Sequence, residues 1–335
     1  MVTYKFIYRY LYFNLWNYTM HSSCNRWDSF HNGCHCRYDS RNVKWYFHHN
    51  DLGYFMKKSF IYINIAVLLF GLAGVFSKMI GLPSILITFG RVSISSIFLF
   101  IYIKLANKDM TLSKYKYLIF LAGIILALHW TTFIESIHQS TVEIGTITFS
   151  TFPLFVMLFE IVFFKEKMHI KHLFCILLII IGVYITIPIF TFDNSMVKGI
   201  CIGMISSVSY AVLTIINKIV SKEYESTIIT FYEQFLASVI LVPSLFIVPF
   251  TMTFKDGILL FILGIGMTAL AHTLFVESLK KLPAGLAGIL SCNEMVYSIV
   301  FAFLLLKEVP SFREIIGGCL IFVVSIYSQI STNSQ

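Results

Sequence analysis

The chain has 335 residues, of which 57% are hydrophobic and only 13% charged, with a mean hydropathy of +0.80. A soluble domain spends about a quarter of its residues on charge, so a water-facing globule is excluded. The net charge of +8 does not point to nucleic acid, because the basic residues lie in short connectors between apolar runs, the pattern that orients a multi-pass protein.

Residues 1–55 do not match the remainder. They hold three of the four tryptophans, five of the ten histidines and three of the seven cysteines, with no apolar run long enough to span a bilayer. The basic start, apolar middle and small-residue cleavage site of a secretory signal are missing. Cys24, Cys34, His35 and Cys36 make no clean pair of C-x-x-C or H-x-x-x-H spacings, so neither a metal site nor a cofactor is expected. Met56-Lys57-Lys58 directly precedes the first apolar run. That is how a membrane protein commonly starts, and it makes 1–55 a disordered leader or a mis-assigned upstream extension.

From Met56 onward, apolar runs fall near 60–80, 83–105, 116–135, 142–164, 170–190, 197–218, 227–249, 257–277, 284–306 and 312–330. A helix needs about 20 residues to cross ~30 Å of hydrocarbon, and lipid offers no partner for unpaired backbone groups. The expectation is an all-α integral membrane protein of ten transmembrane helices. Cys175, Cys201, Cys292 and Cys319 are scattered through these runs and read as small hydrophobes.

Charge within a span costs at least ~2–3 kcal/mol at mid-bilayer, so intramembrane charges usually face a cavity or a partner. In chain order, Lys78 closes the first span, and Arg91 lies about nine residues into the second. The third carries His129 and Trp130 and ends at Glu135. Pro153, inside the fourth, predicts a kink that leaves a carbonyl free. Glu160 sits about a turn from that span's end, where a side chain can snorkel. Lys218 ends the sixth span, Glu233 lies in the seventh, His272 and Glu277 in the eighth, and Asn293-Glu294 halfway along the ninth.

Several of these landmarks repeat. Glu135 and Glu277 are 142 residues apart, as are Lys165-Glu166 and Lys307-Glu308, and as are the I-T-F triplets at 87–89 and 229–231. On this register Arg91 matches Glu233 and Trp130 matches His272, while Lys78 and Lys218 fall 140 apart. The chain therefore reads as two five-span units, 56–190 and 197–330. An odd number of spans inverts the second unit in the bilayer. The lysine bias of the connectors, led by Lys57, Lys58, Lys104, Lys108 and Lys114 on one side, puts the N-terminus, and with ten spans the C-terminus, in the cytoplasm.

F-S-T-F-P-L-F-V-M-L-F-E-I-V-F-F-K-E-K at 149–167 leads into K-H-L-F-C-I-L-L-I-I-I-G-V-Y-I at 171–185. This pattern resembles the end of an EamA domain: a proline-bearing span, a short turn with a glutamate, then a glycine-containing span. V-Y-S-I-V-F-A-F-L-L-L-K-E-V-P-S-F-R-E-I-I-G-G-C-L-I-F at 296–322 is similar, with Met295 standing where the first copy has Pro153. Over about 56–330 the chain resembles the drug/metabolite transporter superfamily. The resemblance implies a carrier of small metabolites, often amino acids or related compounds, and often an exporter, in the cell membrane.

Inverted repeats place a carrier's site near the midplane, between the halves. Arg91, Glu233, Glu294, Asn293, Trp130 and His272 are the candidates for binding substrate or a coupling proton or other ion; charge pairing and inter-helix packing are the bland alternatives. Glu135, Glu277, Lys78 and Lys218 stand at span ends, where gating or capping is expected. A channel and a membrane-embedded enzyme are the competing classes. The enzyme is disfavoured because H-E-x-x-H, G-x-S-x-G and a Walker loop are missing. The channel is disfavoured because one chain already holds a two-fold repeat, whereas a pore usually needs a ring of chains. Substrate identity and oligomeric state are not set by these patterns.

Overall fold

The computed structural model describes residues 49–333 apart from 141, 165–169, 187–193, 308 and 310. The tail cysteines, the Lys165-Glu166 pair, Glu308 and most of the break between the repeats lie outside the described residues.

The described elements are all helical. In order they are α1 (His49–Met79), α2 (Ser84–Leu105), α3 (Lys116–Gln139), α4 (Val142–Phe149), α5 (Phe152–Phe164), α6 (Ile170–Thr186), α7 (Asn194–Val220), α8 (Ser226–Leu241), α9 (Ser244–Ile247), α10 (Phe254–Gly264), α11 (Ala271–Leu279), α12 (Ala284–Ser291), α13 (Asn293–Phe301) and α14 (Phe312–Asn333). π-helical segments, Ile265–Leu270 and Ala302–Leu306, join α10 to α11 and follow α13. Eight helical stretches are long and apolar enough to cross a membrane. The expected fifth and tenth spans coincide with shorter apolar stretches, Leu173–Gly182 and Ile315–Tyr327. The count of ten therefore stands at eight among the described residues.

Side chains sort by environment. Ile63, Ile87, Leu126, Ile134, Leu213, Ile229 and Leu263 form a buried interior, while Ile97, Ile124, Phe261 and Leu304 stand exposed on the outer faces. Lipid tails are as apolar as those side chains, so their exposure costs nothing there and supplies no force pressing helices together. Close approach must do that instead. A Cβ on Gly123 would stand 2.6 Å from Leu236 Cβ, and one on Gly264 would stand 2.8 Å from Ile94 Cβ. Glycine is what lets α3 meet α8 and α10 meet α2.

Those two contacts are related. Ile94 and Leu236 are 142 apart, but Gly123 and Gly264 are 141 apart, and beyond the π segment Trp130 and His272 are again 142 apart. A π-bulge widens one helical turn by one residue. The segment Ile265–Leu270 accounts for that residue.

The fourth span breaks as Pro153 predicts. α4 ends at Phe149, and α5 begins one residue before the proline. The ninth has no proline, yet it breaks between α12 and α13 at Cys292, the residue 142 after Ser150. The Cys292 thiol donates to the Ser150 carbonyl at 3.6 Å. The two breaks therefore touch each other.

Candidate functional site

A cavity of ≈ 320 Å³ between the atoms is lined by Phe70, Ala73, Arg91, His129, Trp130, Phe133, Phe149, Tyr210 and Glu294. Only ≈ 20 Å³ is open to the centre of a water-sized sphere, room for about one water. Residues before 187 and after 197 both contribute, so the cavity lies where the two halves meet.

Arg91 is held to this cavity by α2, which starts behind Pro83, a residue suited to a helix entry. It is almost fully buried, donates from Nε to Thr268 Oγ1 at 2.9 Å, and places its guanidinium carbon 4.1 Å from the centre of the Trp130 ring. A desolvated cation over an indole face is stabilised by the ring quadrupole. Arg91 has no ion-pair partner among the described residues.

Glu294 arrives from the opposite half. It stands in the first turn of α13, just after the Cys292 break. The first turn of a helix carries the positive end of its dipole, which lets an acid sit there at reduced cost. Its side chain is 6% exposed and faces the cavity, and no hydrogen bond reaches its carboxylate among the described residues. Arg91 and Glu294 line the same cavity from opposite halves. A buried cation and anion thus line one narrow space amid aromatic rings.

Glu233 and His272 form a hydrogen bond at 2.8 Å, with both side chains fully buried. They stand behind Trp130, whose ring meets His272 edge-on at 5.7 Å between centroids. Arg91 and Glu233 therefore do not pair directly; each engages its own half's aromatic partner, and those partners meet. Asn293 is buried but does not line the cavity, and its side-chain carbonyl has no partner.

The two glutamates at span ends have matching environments. Glu135 Oε2 accepts from Ser84 Oγ at 2.7 Å, and Glu277 Oε2 accepts from Ser226 Oγ at 2.6 Å. Ser84 and Ser226 open α2 and α8, so each acid also meets a positive helix end. Lys218 caps the far end of α11, donating to the carbonyls of Leu279 and Leu282 at 2.6 and 2.7 Å. Lys78 lies in the last turn of α1.

Sequence reading missed several lining residues. Phe133 and its repeat equivalent Phe275 share the 142-residue register with Ser84 and Ser226, so the repeat could have flagged Phe133, which lines the cavity. Phe70, Phe149 and Tyr210 carry no signal of their own in a chain with 33 phenylalanines and 18 tyrosines. His129 is held by the Ser206 carbonyl and hydroxyl at 3.1 and 2.9 Å.

The profile of the EamA-like transporter family matches twice, over 57–187 and 197–328. The chain is 24% identical over 250 residues to the pseudopaline exporter CntI of Pseudomonas aeruginosa, covering 73% of this chain and 86% of that one. It is 23% identical over 255 residues to the S-adenosylmethionine uptake transporter of Rickettsia bellii, covering 76% and 87%. One solved crystal structure superposes with a TM-score of 0.69 at 17% identity, over 82% of this chain and 97% of the other. That last likeness concerns the fold alone.

Proposed function

Since the chain belongs to the EamA-like transporter family, we propose that it is a secondary active transporter that moves small metabolites, amino acids or related compounds, by alternating access. The observation that carries this reading is the narrow cavity between the halves, with Arg91 from one half and Glu294 from the other in its lining. A cavity that admits about one water is too narrow for a continuous aqueous pore, which supports a carrier over an open channel. The family and the named relatives point to a transporter rather than an enzyme.

In this reading the units 56–190 and 197–330 are inverted five-helix repeats in the cell membrane, with both termini cytoplasmic. Arg91 binds an anionic group of the solute, Glu294 a cationic one, and Trp130 with Phe133 and Tyr210 packs its apolar part. Asn293 stands beside Glu294 at the second break. Substrate entry parts the rings that now fill the middle. Net movement is outward. One relative is named for export and another for uptake, so membership of the family does not by itself fix direction.

The deciding experiment compares metabolite pools and efflux in cells with and without the chain, at two external pH values. Saturable, counter-transported flux of a solute bearing both charges is the expected result. Non-saturating conductance, or no change in any small metabolite, would overturn the reading.

A further inference from the structure

The Glu233–His272 pair lies outside the cavity lining, yet its chemistry is incomplete. Both side chains are fully buried and joined Oε2 to Nε2 at 2.8 Å, while Glu233 Oε1 and His272 Nδ1 have no hydrogen-bond partner. A buried polar atom left unpaired costs ~1–3 kcal/mol, and structural pairs usually have their remaining positions filled. His129 shows the contrast, since its Nδ1 meets both Ser206 oxygens.

We propose that Glu233 and His272 form a proton-binding site through which transport draws on a proton gradient. This rests on the carrier reading. In the unloaded form the neutral imidazole donates its Nε2–H to the ionised carboxylate, and the pair carries one negative charge. One added proton lands on the orphaned Nδ1 lone pair, giving an imidazolium beside a carboxylate and a net charge of zero. Only that N–H bond forms on loading, and only that bond breaks on release.

The pair is wired to the cavity. Trp130 meets His272 in a T-shaped contact and Arg91 by its face. Loading removes a negative charge one ring away from Arg91 and leaves the guanidinium to Glu294 or to an anionic solute group. The other ionisable groups within electrostatic reach of the pair are His129 from α3 and Tyr210 from α7, while Arg91 from α2 lies one ring away, over Trp130. α1 has no acid or histidine between Lys58 and Lys78, and α12 and the π segment Ile265–Leu270 have no ionisable residue.

Trp130 is the only tryptophan beyond residue 45, which makes it a local reporter, because imidazolium quenches indole emission. The full chain carrying Trp16→Phe, Trp27→Phe and Trp45→Phe is purified in detergent, and its fluorescence is followed between roughly pH 4 and 9. A one-proton quenching transition is expected on acidification. It should be lost in His272→Gln, kept in His129→Gln, and moved down by about one pH unit or more in Glu233→Gln, where the stabilising carboxylate is gone. A flat wild-type trace, or a transition that survives His272→Gln, overturns the proposal. If His272→Gln does not fold, the Glu233→Gln shift decides, and an unmoved transition overturns it. The measurement needs no transported solute, so its failure leaves the carrier reading standing.

Discussion

At the scale of single residues, charge is placed where the local backbone or a ring can bear it. Arg91 lies on Trp130, Glu294 on the first turn of a broken helix, and Glu135 and Glu277 on helix starts. Arg91→Ala removes a charge-assisted contact worth ~1.5–3 kcal/mol, so efflux of the solute should fall about 10- to 100-fold. Arg91→Lys keeps the charge but not the planar fork, so its flux should lie between the two. Unchanged flux in both variants would remove Arg91 from the binding role. Ser84→Ala and Ser226→Ala each delete one hydrogen bond to a carboxylate, at about 1–2 kcal/mol apiece. The two sites share no partner, so their effects on melting in detergent should add. A strongly non-additive double variant would show that the two ends communicate, as a gate requires.

At the scale of elements, packing decides which helices meet and where they break. Gly264→Ala pushes a methyl into Ile94 and should cost about 1–3 kcal/mol, seen as a lower melting temperature in detergent. Gly266, two residues on, has nothing within 4 Å of a built Cβ. There Gly266→Ala should be neutral or stabilising by roughly 0.5–1 kcal/mol, because alanine loses less backbone entropy in a helix. Equal destabilisation at both positions would refute the close-approach account. The break at Cys292 makes the same point about causes. Pro153 announces one break in the sequence, Met295 announces none, and the second break lies in contact with the first.

At the scale of the whole molecule, the repeat is the organising fact. Equivalent hydrogen bonds, Ser84 to Glu135 and Ser226 to Glu277, recur at one offset. If the second unit is inverted, single cysteines introduced at Lys165 and Lys307 in an otherwise cysteine-free chain should label from opposite sides of the membrane in intact cells. Labelling from one side alone would undo the inverted arrangement and, with it, alternating access as the mechanism.

The class of solvent, the helical content, the doubling and the intramembrane charges were all legible in the residue order, because each follows from local composition or from self-comparison. Arg91 and Glu294 stand out for their cost in lipid, a property of the residue type, and Trp130 stands out as the repeat equivalent of His272. Which of the named residues share a space was not legible. Arg91 and Glu233 looked like partners by symmetry, but the fold gives each an aromatic or imidazole neighbour and brings those neighbours together. Phe70, Phe149 and Tyr210 became cavity walls only through helix packing, since an aromatic ring carries no mark that distinguishes lining a void from facing lipid. The proline-free break and the one-residue π insertion were likewise decided in three dimensions, because both answer to contacts between residues far apart in the chain.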